Sequence, residues 1–244
     1  MILQDKIVLV TGAASGIGAA ISSELARLGC VVIGADRNDT LVSRYDKVME
    51  EEAGLKDVGS FHGIPCDLVE EASVAELFAQ IEKSFGRLDV SICNAGSYKF
   101  ASILTGTTSN WVDMLQLNVL ATAMCLRDSV RLMTVSPAQS GHIIVMGSAL
   151  GCKVSQPECL HFYSATKFAV RALAEGVREE LVTAKHDIRV THLAPGLVRT
   201  ESSRQLVSAV AFTPLEVADI VAAVVFALQA PSHVNVSEIH IVSA

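Results

Sequence analysis

Tyr163 and Lys167 are the two side chains of this 244-residue sequence whose spacing most directly suggests proton-transfer chemistry. Residues four apart on an α-helix lie on the same face, so a phenol hydroxyl and an ammonium at this spacing can approach one point. A phenol titrates near ~10, and a cation held beside it favours the phenolate and lowers its pKa toward working pH. The pair therefore predicts a general acid–base centre. On its own, the same spacing also fits a half-buried aromatic beside a solvated lysine.

The residues around this pair have the pattern of an amphipathic helix. Apolar side chains recur at spacings of three and four from Phe162 to Leu181, and charged side chains such as Arg171 and Glu175 fill the opposite face. The sequence thus predicts a helix that holds the phenol and the ammonium one turn apart.

Strand and helix patterns alternate along the whole chain, which predicts an α/β fold. Seven short apolar runs have the composition of strands, at residues 6–10, 31–35, 58–64, 88–93, 142–146, 188–193 and 238–242. The helical patterns between them include a charged one ending near Gly54, a long one over residues 109–135 and one beginning at Pro214. Short strands separated by helices are typical of a parallel sheet covered on both faces. Because no linker or repeat interrupts residues 1–244, we expect a single doubly wound Rossmann domain with a seven-stranded parallel sheet.

A glycine-rich turn lies directly between the first strand and the first helix. Gly12, Gly16 and Gly18 have the spacing G-x-x-x-G-x-G, preceded by Thr11. Glycines here let backbone N–H groups approach a pyrophosphate, and the helix N-terminus adds favourable partial charge. The lysine of a P-loop is missing, so phosphoryl transfer is not indicated. A tight turn without a ligand is the alternative.

Polar residues follow the next three strands at their carboxyl ends. Asp36 ends the second strand, Asp67 follows the third, and the sequence Asn94-Ala95-Gly96 follows the fourth. This edge of an open parallel sheet is where ligands bind, and an acid near Asp36 is expected to contact a ribose. The pattern predicts a dinucleotide site, although Asp67 could separately cap the next helix.

Composition excludes several classes of partner. The net charge is −7 without a basic cluster, which argues against nucleic acid. The six cysteines form no C-x-x-C pair and the seven histidines no H-E-x-x-H pattern, so we expect no metal site. No signal peptide opens the sequence and no apolar run reaches ~18 residues, so we expect a cytoplasmic protein without a membrane span.

Together these motifs resemble those of the single-domain short-chain dehydrogenase/reductases. The resemblance covers nearly the whole chain, with the family's motifs at residues 11–18, 67–68, 94–96, 118, 148, 163–167 and 195–196. It implies that Tyr163 is the acid/base and that Lys167 lowers its pKa and holds the nicotinamide ribose. It also implies that Ser148 orients the substrate oxygen and that Asn118 holds a water in a proton relay.

The same resemblance implies a nicotinamide dinucleotide cofactor. Asp67 would contact the adenine, residues 94–96 would line its ribose, and Thr200 would contact the carboxamide. The cofactor-binding residues that it implies are Gly12, Ser15, Gly16, Ile17, Gly18, Asp36, Arg37, Asp67, Leu68, Asn94, Ala95, Gly96, Tyr163, Lys167, Pro195, Gly196, Val198 and Thr200.

Departures from the family pattern concern the cofactor most. Cys93 and Gly147 replace an Asn and a Ser that are common in the family, and neither change removes a reacting group. Asp36 can accept hydrogen bonds from both adenosine-ribose hydroxyls and would repel a 2′-phosphate, which favours NAD. Arg37 could instead bind that phosphate, so NADP use through Arg37 is the alternative.

Three segments, at residues 106–111, 117–121 and 161–167, resemble a branch that includes the insect farnesol dehydrogenases and a vertebrate keto-steroid reductase. We therefore expect a hydrophobic alcohol or ketone as substrate, such as a terpenoid like farnesol or a steroid. Roughly residues 200–212 are either a mobile cover over an apolar cleft or an ordinary surface loop and helix. Tyr98 and Phe100 either line the cleft or cover the sheet edge.

The two longest predicted helices are apolar over wide arcs. Family resemblance suggests that they pair between subunits in a homodimer or homotetramer, and we expect Trp111 and Phe168 to lie in the core. The alternative to an enzyme is a cofactor-binding regulator or scaffold without turnover. A broken Ser/Tyr/Lys set would favour that alternative, and here the set is complete.

Overall fold

A seven-stranded parallel β-sheet forms the centre of the computed structural model, which describes residues 3–38, 58–135, 140–154 and 157–244. Its spatial order is β3-β2-β1-β4-β5-β6-β7. The strands are β1 (Ile7–Thr11), β2 (Val31–Asp36), β3 (Ser60–Pro65), β4 (Val90–Cys93), β5 (Ser140–Met146), β6 (Asp187–Pro195) and β7 (Glu238–Ile241). The predicted seven-stranded parallel sheet is therefore confirmed.

Helices connect the strands. They are α1 (Gly16–Arg27), α2 (Glu71–Phe85), α3 (Thr108–Met114), α4 (Ala121–Val135), α5 (His161–Thr183), α6 (Arg204–Ser208) and α7 (Val217–Gln229). Two 3₁₀ turns, Ala149–Gly151 and Glu158–Leu160, lie between β5 and α5. The charged helix predicted to end near Gly54 lies outside the described residues.

Both faces of the sheet are buried, as the apolar strands require. Along β1, Ile7 and Leu9 belong to one core cluster, whereas Val8 and Val10 belong to the other. Residues of α2, α4 and α5 fill the first cluster, and residues of α1 and α7 fill the second. Because successive side chains of a strand point to opposite faces, a central strand covered on both sides must be apolar throughout.

The strand order reverses between β1 and β4, which are neighbours although β2 and β3 separate them along the chain. At this point the chain winds away in opposite directions, which leaves a crevice at the carboxyl ends of the two strands. The Thr11 hydroxyl joins them there by accepting hydrogen bonds from the backbone N–H groups of Asn94, at 3.0 Å, and Ala95, at 3.1 Å.

Two predicted helices differ in detail. The long helix is interrupted by a π-helical turn, Leu115–Leu120, between α3 and α4. The helix predicted from Pro214 begins at Val217, because Glu216 and Asp219 form a reciprocal capping box that fixes its first turn. Among the described helices, none is long and apolar enough to cross a membrane.

Candidate active site

Tyr163 and Lys167 lie in the first turns of α5, facing the carboxyl end of β5. The Lys167 ammonium donates a hydrogen bond to the Met146 carbonyl at 2.9 Å and lies 5.8 Å from the centre of the Tyr163 ring. The helical spacing thus brings the two groups together, as expected, with the ammonium near the ring and anchored to the end of β5.

The pKa of Tyr163 differs from the sequence-based expectation. Burial raises it to about 12, and a hydrogen bond from the Ser148 side chain only partly opposes this. Burial also lowers the pKa of Lys167 to about 8. The net shift is therefore opposite to the predicted lowering, because desolvation of the buried phenol is its largest cause. Tyr163 is accordingly protonated near pH 7, and the effect assigned to Lys167 stays a prediction.

Ser148 reaches Tyr163 because the chain turns sharply after β5. Ser148 caps the 3₁₀ turn that follows, and its hydroxyl accepts a hydrogen bond from the Leu150 N–H at 3.1 Å. The turn packs directly on α5, since a Cβ atom on Gly151 would lie 2.6 Å from the Lys167 carbonyl oxygen. A glycine at this position therefore allows the serine turn and α5 to approach each other.

Asn118 lies in the π-helical turn and is 1% exposed. Its side-chain oxygen accepts from the Ser97 N–H at 2.8 Å, and its amide donates to the Ser97 carbonyl at 2.8 Å and to the Thr166 hydroxyl at 3.0 Å. The side chain thus ties the loop after β4 to α5. The side-chain oxygen keeps a second acceptor position, and the role of Asn118 in a proton relay stays a prediction.

The glycine loop has the backbone that the sequence requires. Gly12 and Gly16 have φ of 68° and 53°, in the left-handed region that favours glycine. A Cβ atom on Gly18 would collide with the Gly12 carbonyl and lie 2.5 Å from the Asn94 amide nitrogen. That amide donates to the carbonyls of Thr11, at 2.9 Å, and Gly12, at 3.3 Å, so Asn94 braces the loop.

The two acids that follow β2 and β3 are both held by backbone groups. Asp36 accepts from the N–H groups of Ala14, at 3.1 Å, and Asn38, at 3.0 Å, while Arg37 is exposed. Asp67 accepts from the Val69 N–H at 3.2 Å, whereas the N-cap of α2 is Glu70. The alternative in which Asp67 caps that helix is therefore wrong.

One cavity of about 720 Å³ joins these groups. Among the predicted site residues, only Asn118 is absent from its lining, because its side chain is buried behind the wall. The others that line it are Gly12, Ser15, Gly16, Ile17, Gly18, Asp36, Arg37, Asp67, Leu68, Asn94, Ala95, Gly96, Ser148, Tyr163, Lys167, Pro195, Gly196, Val198 and Thr200. The structure thus brings the set together, and the role of each residue stays a prediction.

The far end of the cavity contains residues that sequence reasoning left open or missed. Tyr98 lines it and meets the Tyr163 ring edge-on at 6.0 Å between centroids. Phe100 is 43% exposed and also meets the Tyr98 ring edge-on, at 5.5 Å. Leu150, Pro157 and Leu160 also line it, and no motif marks them in the sequence.

The two aromatics expected in the core behave differently. Trp111 is half-buried and stacks on Phe162 at 5.1 Å between ring centroids. Phe168 is 39% exposed, so its predicted place in the core is wrong. It lies on a different face of α5 from Val170 and Ala174, which are buried in the core.

A family model for short chain dehydrogenases matches residues 6–211. This chain belongs to the short-chain dehydrogenase/reductase family. Dehydrogenase/reductase SDR family member 11 of Mus musculus is 35% identical over 245 residues, covering 97% of this chain and 93% of that protein. Farnesol dehydrogenase of Aedes aegypti is 35% identical over 240 residues, covering 97% and 95%. An alcohol dehydrogenase from the archaeon Thermococcus sibiricus, solved in complex with 5-hydroxy-NADP, has a TM-score of 0.83 at 25% identity, covering 99% and 97%.

This short-chain dehydrogenase/reductase is accordingly an NAD(P)-dependent oxidoreductase that acts on alcohol or carbonyl groups. The cavity fits such a cofactor. A Cβ atom on Gly96 would project to 3.3 Å from the Asn118 side-chain oxygen and 3.5 Å from the Lys167 ammonium, so glycine keeps open the space in front of Lys167. The left-handed glycines leave the α1 N-terminus open to a pyrophosphate.

Proposed function

We propose that this enzyme transfers hydride between NAD and a hydrophobic alcohol or ketone, with Tyr163 moving the hydroxyl proton. The observation that carries the proposal is the continuity of one cavity. It runs from the glycine loop of α1, past Ser148, Tyr163 and Lys167, to a largely apolar far end.

The residues at the centre of the cavity have different roles in proton transfer. A nicotinamide cofactor, when bound, supplies or accepts the hydride. Tyr163, whose pKa is about 12, holds the proton that a carbonyl oxygen receives on reduction. Ser148 hydrogen-bonds the phenol, and with substrate bound its single hydroxyl proton can be donated to the substrate oxygen instead. Lys167 places an ammonium behind the phenol, where it would stabilise the phenolate left after proton transfer.

The geometry of Asp36 favours NAD over NADP. Binding a 2′-phosphate through Arg37 would require the Asp36 carboxylate to move away, because like charges ~4 Å apart repel by about 4 kcal/mol at an effective dielectric of ~20. Such a movement would break the hydrogen bonds from Ala14 and Asn38. Each carboxylate oxygen keeps acceptor capacity for a ribose hydroxyl.

The side chains of the far end favour an apolar substrate. The apolar residues that line the cavity include Leu150, Pro157, Leu160, Leu206, Val210 and Phe212. The charged groups in the cavity lining lie at its cofactor end, except for the buried Lys167. A terpenoid such as farnesol, or a steroid, would bury apolar area here, whereas a sugar would leave hydroxyl groups without partners.

The segment after Thr200 has the properties of a cover. It contributes α6 and the lining residues Leu206, Val210 and Phe212, and the Tyr98 hydroxyl donates a hydrogen bond to its Ser202 carbonyl at 2.5 Å. Its base is anchored, because the Ser203 hydroxyl donates to the Val198 carbonyl at 2.5 Å. We expect the part beyond Ser203 to open for substrate while the base stays in place.

The decisive experiment compares two matched variants. Tyr163→Phe should lower kcat by on the order of 10² to 10⁴, because it removes the acid/base group. Cofactor binding, measured by calorimetry, should survive. Tyr98→Phe removes the cavity's other phenol and should keep most of kcat. A Tyr163→Phe enzyme with near-normal kcat would refute the proposed role.

A substrate panel tests the far end of the cavity. Farnesol, geraniol, steroids, short alcohols and sugars would each be assayed with NAD and NADP. We expect the highest kcat/KM for the large apolar compounds. Activity confined to sugars or short polar alcohols would contradict the hydrophobic assignment and leave the role of Tyr163 intact.

A further inference from the structure

Three potential metal ligands converge beside the serine turn, outside the cavity. Cys152 follows the 3₁₀ turn Ala149–Gly151, and Glu238 and His240 are two apart on β7, so their side chains lie on the same face of the sheet. We call these three residues the cysteine cluster. The Cys152 sulfur lies 2.8 Å from His240 Nε2 and 4.0 Å from Glu238 Oε1, and the latter two atoms are 3.5 Å apart.

The arrangement does not fit a nucleophilic triad. In a triad the acid holds one imidazole nitrogen while the other faces the nucleophile. In the cysteine cluster, both the sulfur and the carboxylate oxygen approach the same nitrogen, Nε2 of His240. Three donor atoms around one point form a chelating arrangement and not a relay.

The spacing of the donors matches a small tetrahedral cation. Zinc binds thiolate sulfur at ≈ 2.3 Å and imidazole or carboxylate at ≈ 2.0–2.2 Å, so ligand atoms in a tetrahedral site are roughly 3.3–3.6 Å apart. Of the three observed distances, 3.5 Å lies within this range, whereas 2.8 Å and 4.0 Å lie below and above it. We propose that Cys152, Glu238 and His240 bind Zn²⁺ or a similar divalent transition metal, with water in the fourth position.

Neighbouring groups would weaken metal binding by the cysteine cluster without preventing it. Arg171 pairs with both carboxylate oxygens of Glu238, at 3.0 Å and 3.1 Å, and His192 Nδ1 lies 3.0 Å from Oε1. A carboxylate has about four acceptor positions, so it can bind a cation and keep one of these partners. The positive charge of Arg171 nevertheless repels a cation, and removing that charge should tighten metal binding.

A cation here would act on the catalytic serine through the backbone. The Cys152 N–H donates to the Ala149 carbonyl at 3.1 Å, and the thiol donates to the Ser148 carbonyl at 3.8 Å. Metal binding takes the thiol proton. The sulfur can then no longer donate to the Ser148 carbonyl, and loss of that contact would let the serine turn shift, so we expect the bound metal to slow turnover.

The sequence does not indicate this site. We expected no metal, because zinc motifs are recognised by closely spaced ligands, whereas Cys152 and Glu238 are 86 residues apart. Only the packing of the serine turn against the edge strand brings these atoms together.

Cobalt(II) titration of the full-length enzyme tests binding without requiring activity. We expect a thiolate-to-cobalt charge-transfer band in the wild type. The band should be lost in Cys152→Ser, and cobalt should bind at least about tenfold more weakly to His240→Gln. The controls are Cys159→Ser and His233→Gln, which remove a thiol and an imidazole outside the cluster and should titrate like the wild type. An unchanged band in Cys152→Ser, or no binding in the wild type, would overturn the site.

Two further measurements test the mechanism. Arg171→Gln should bind cobalt more tightly than the wild type, and weaker binding would contradict the assigned role of Glu238. Zinc should inhibit turnover of an accepted substrate, and a chelator should reverse the inhibition. Cys152→Ser should not be inhibited. Zinc binding that leaves turnover unchanged would overturn the coupling to Ser148.

Discussion

A methyl group added at Gly147 should destabilise the protein, because it has no space. Gly147 is buried between β5 and Ser148, and its N–H donates to the Leu193 carbonyl at 2.7 Å. A Cβ atom there would lie 2.8 Å from Cε1 and 2.9 Å from Cδ2 of the His192 ring, with Nε2 closer still. Ordinary contacts begin near 3.4 Å, so the ring, whose Nε2 is the closest atom, would have to retreat by more than an ångström.

The His192 ring cannot retreat freely. It is 3% exposed, and its Nδ1 lies 3.0 Å from the Glu238 carboxylate. Overpacking a buried site typically costs 1–3 kcal/mol, and weakening the hydrogen bond adds ~1 kcal/mol. We therefore expect Gly147→Ala to lower the free energy of unfolding by about 2–4 kcal/mol. The same clash accounts for the absence at this position of the serine that is common in the family.

Urea unfolding followed by circular dichroism measures this change. The matched control is Gly176→Ala on α5, where a Cβ atom meets nothing within 4 Å and should stabilise the helix by roughly 0.5–1 kcal/mol. The double variant Gly147→Ala/His192→Ala should be more stable than the sum of the single variants predicts, because alanine at 192 removes the ring that clashes. A Gly147→Ala protein within ~0.5 kcal/mol of the wild type would refute the reasoning.

Three further predictions follow from other parts of the structure. Asp36→Ala should raise the ratio of kcat/KM for NADP to kcat/KM for NAD at least about tenfold, because Arg37 could then bind the 2′-phosphate without repulsion from a carboxylate. An unchanged ratio, or a wild type that prefers NADP, would show that Asp36 does not select the cofactor. Burial lowers the pKa of His142 to about 3, so only the unfolded state takes up its proton between about pH 6.5 and 3, and stability falls as pH falls through this window. Between pH 7 and 5 the wild type should therefore lose about 2 kcal/mol more unfolding free energy than His142→Asn, and equal losses would contradict the assignment. Leu120 and Phe168 are 57% and 39% exposed, and they lie on the helices that we expect to pair between subunits. The double variant Leu120→Glu/Phe168→Glu should therefore convert a dimer or tetramer to monomers, as measured by light scattering. A wild type that is monomeric at micromolar concentration would rule out the pairing.

Local spacing was enough to predict the centre of the site. Tyr163 and Lys167 meet because residues four apart share a helix face, and the glycine loop lies at the sheet edge because it follows the first strand directly. Neither relation depends on how the rest of the protein packs. The order of strands and helices likewise follows from hydrophobic patterns that extend over many residues.

Packing decided what local spacing could not. The pKa of Tyr163 rises because the phenol is buried, and tertiary packing sets that burial. The long helix contains a π-helical turn at Asn118, whose buried amide is satisfied by two segments distant in sequence. Neither property has a local signal.

The sequence by itself determined the α/β fold, the family and the residues that gather at one edge of the sheet. Hydrophobic periodicity and motif spacing are short-range properties, so the order of residues carries them directly. The tertiary structure alone decided the fixed position of Asp36, the clash that reserves position 147 for glycine, and the meeting of Cys152 with Glu238 and His240. Each depends on ångström-scale distances between segments far apart in the chain, and close packing sets those distances only when the whole fold has formed.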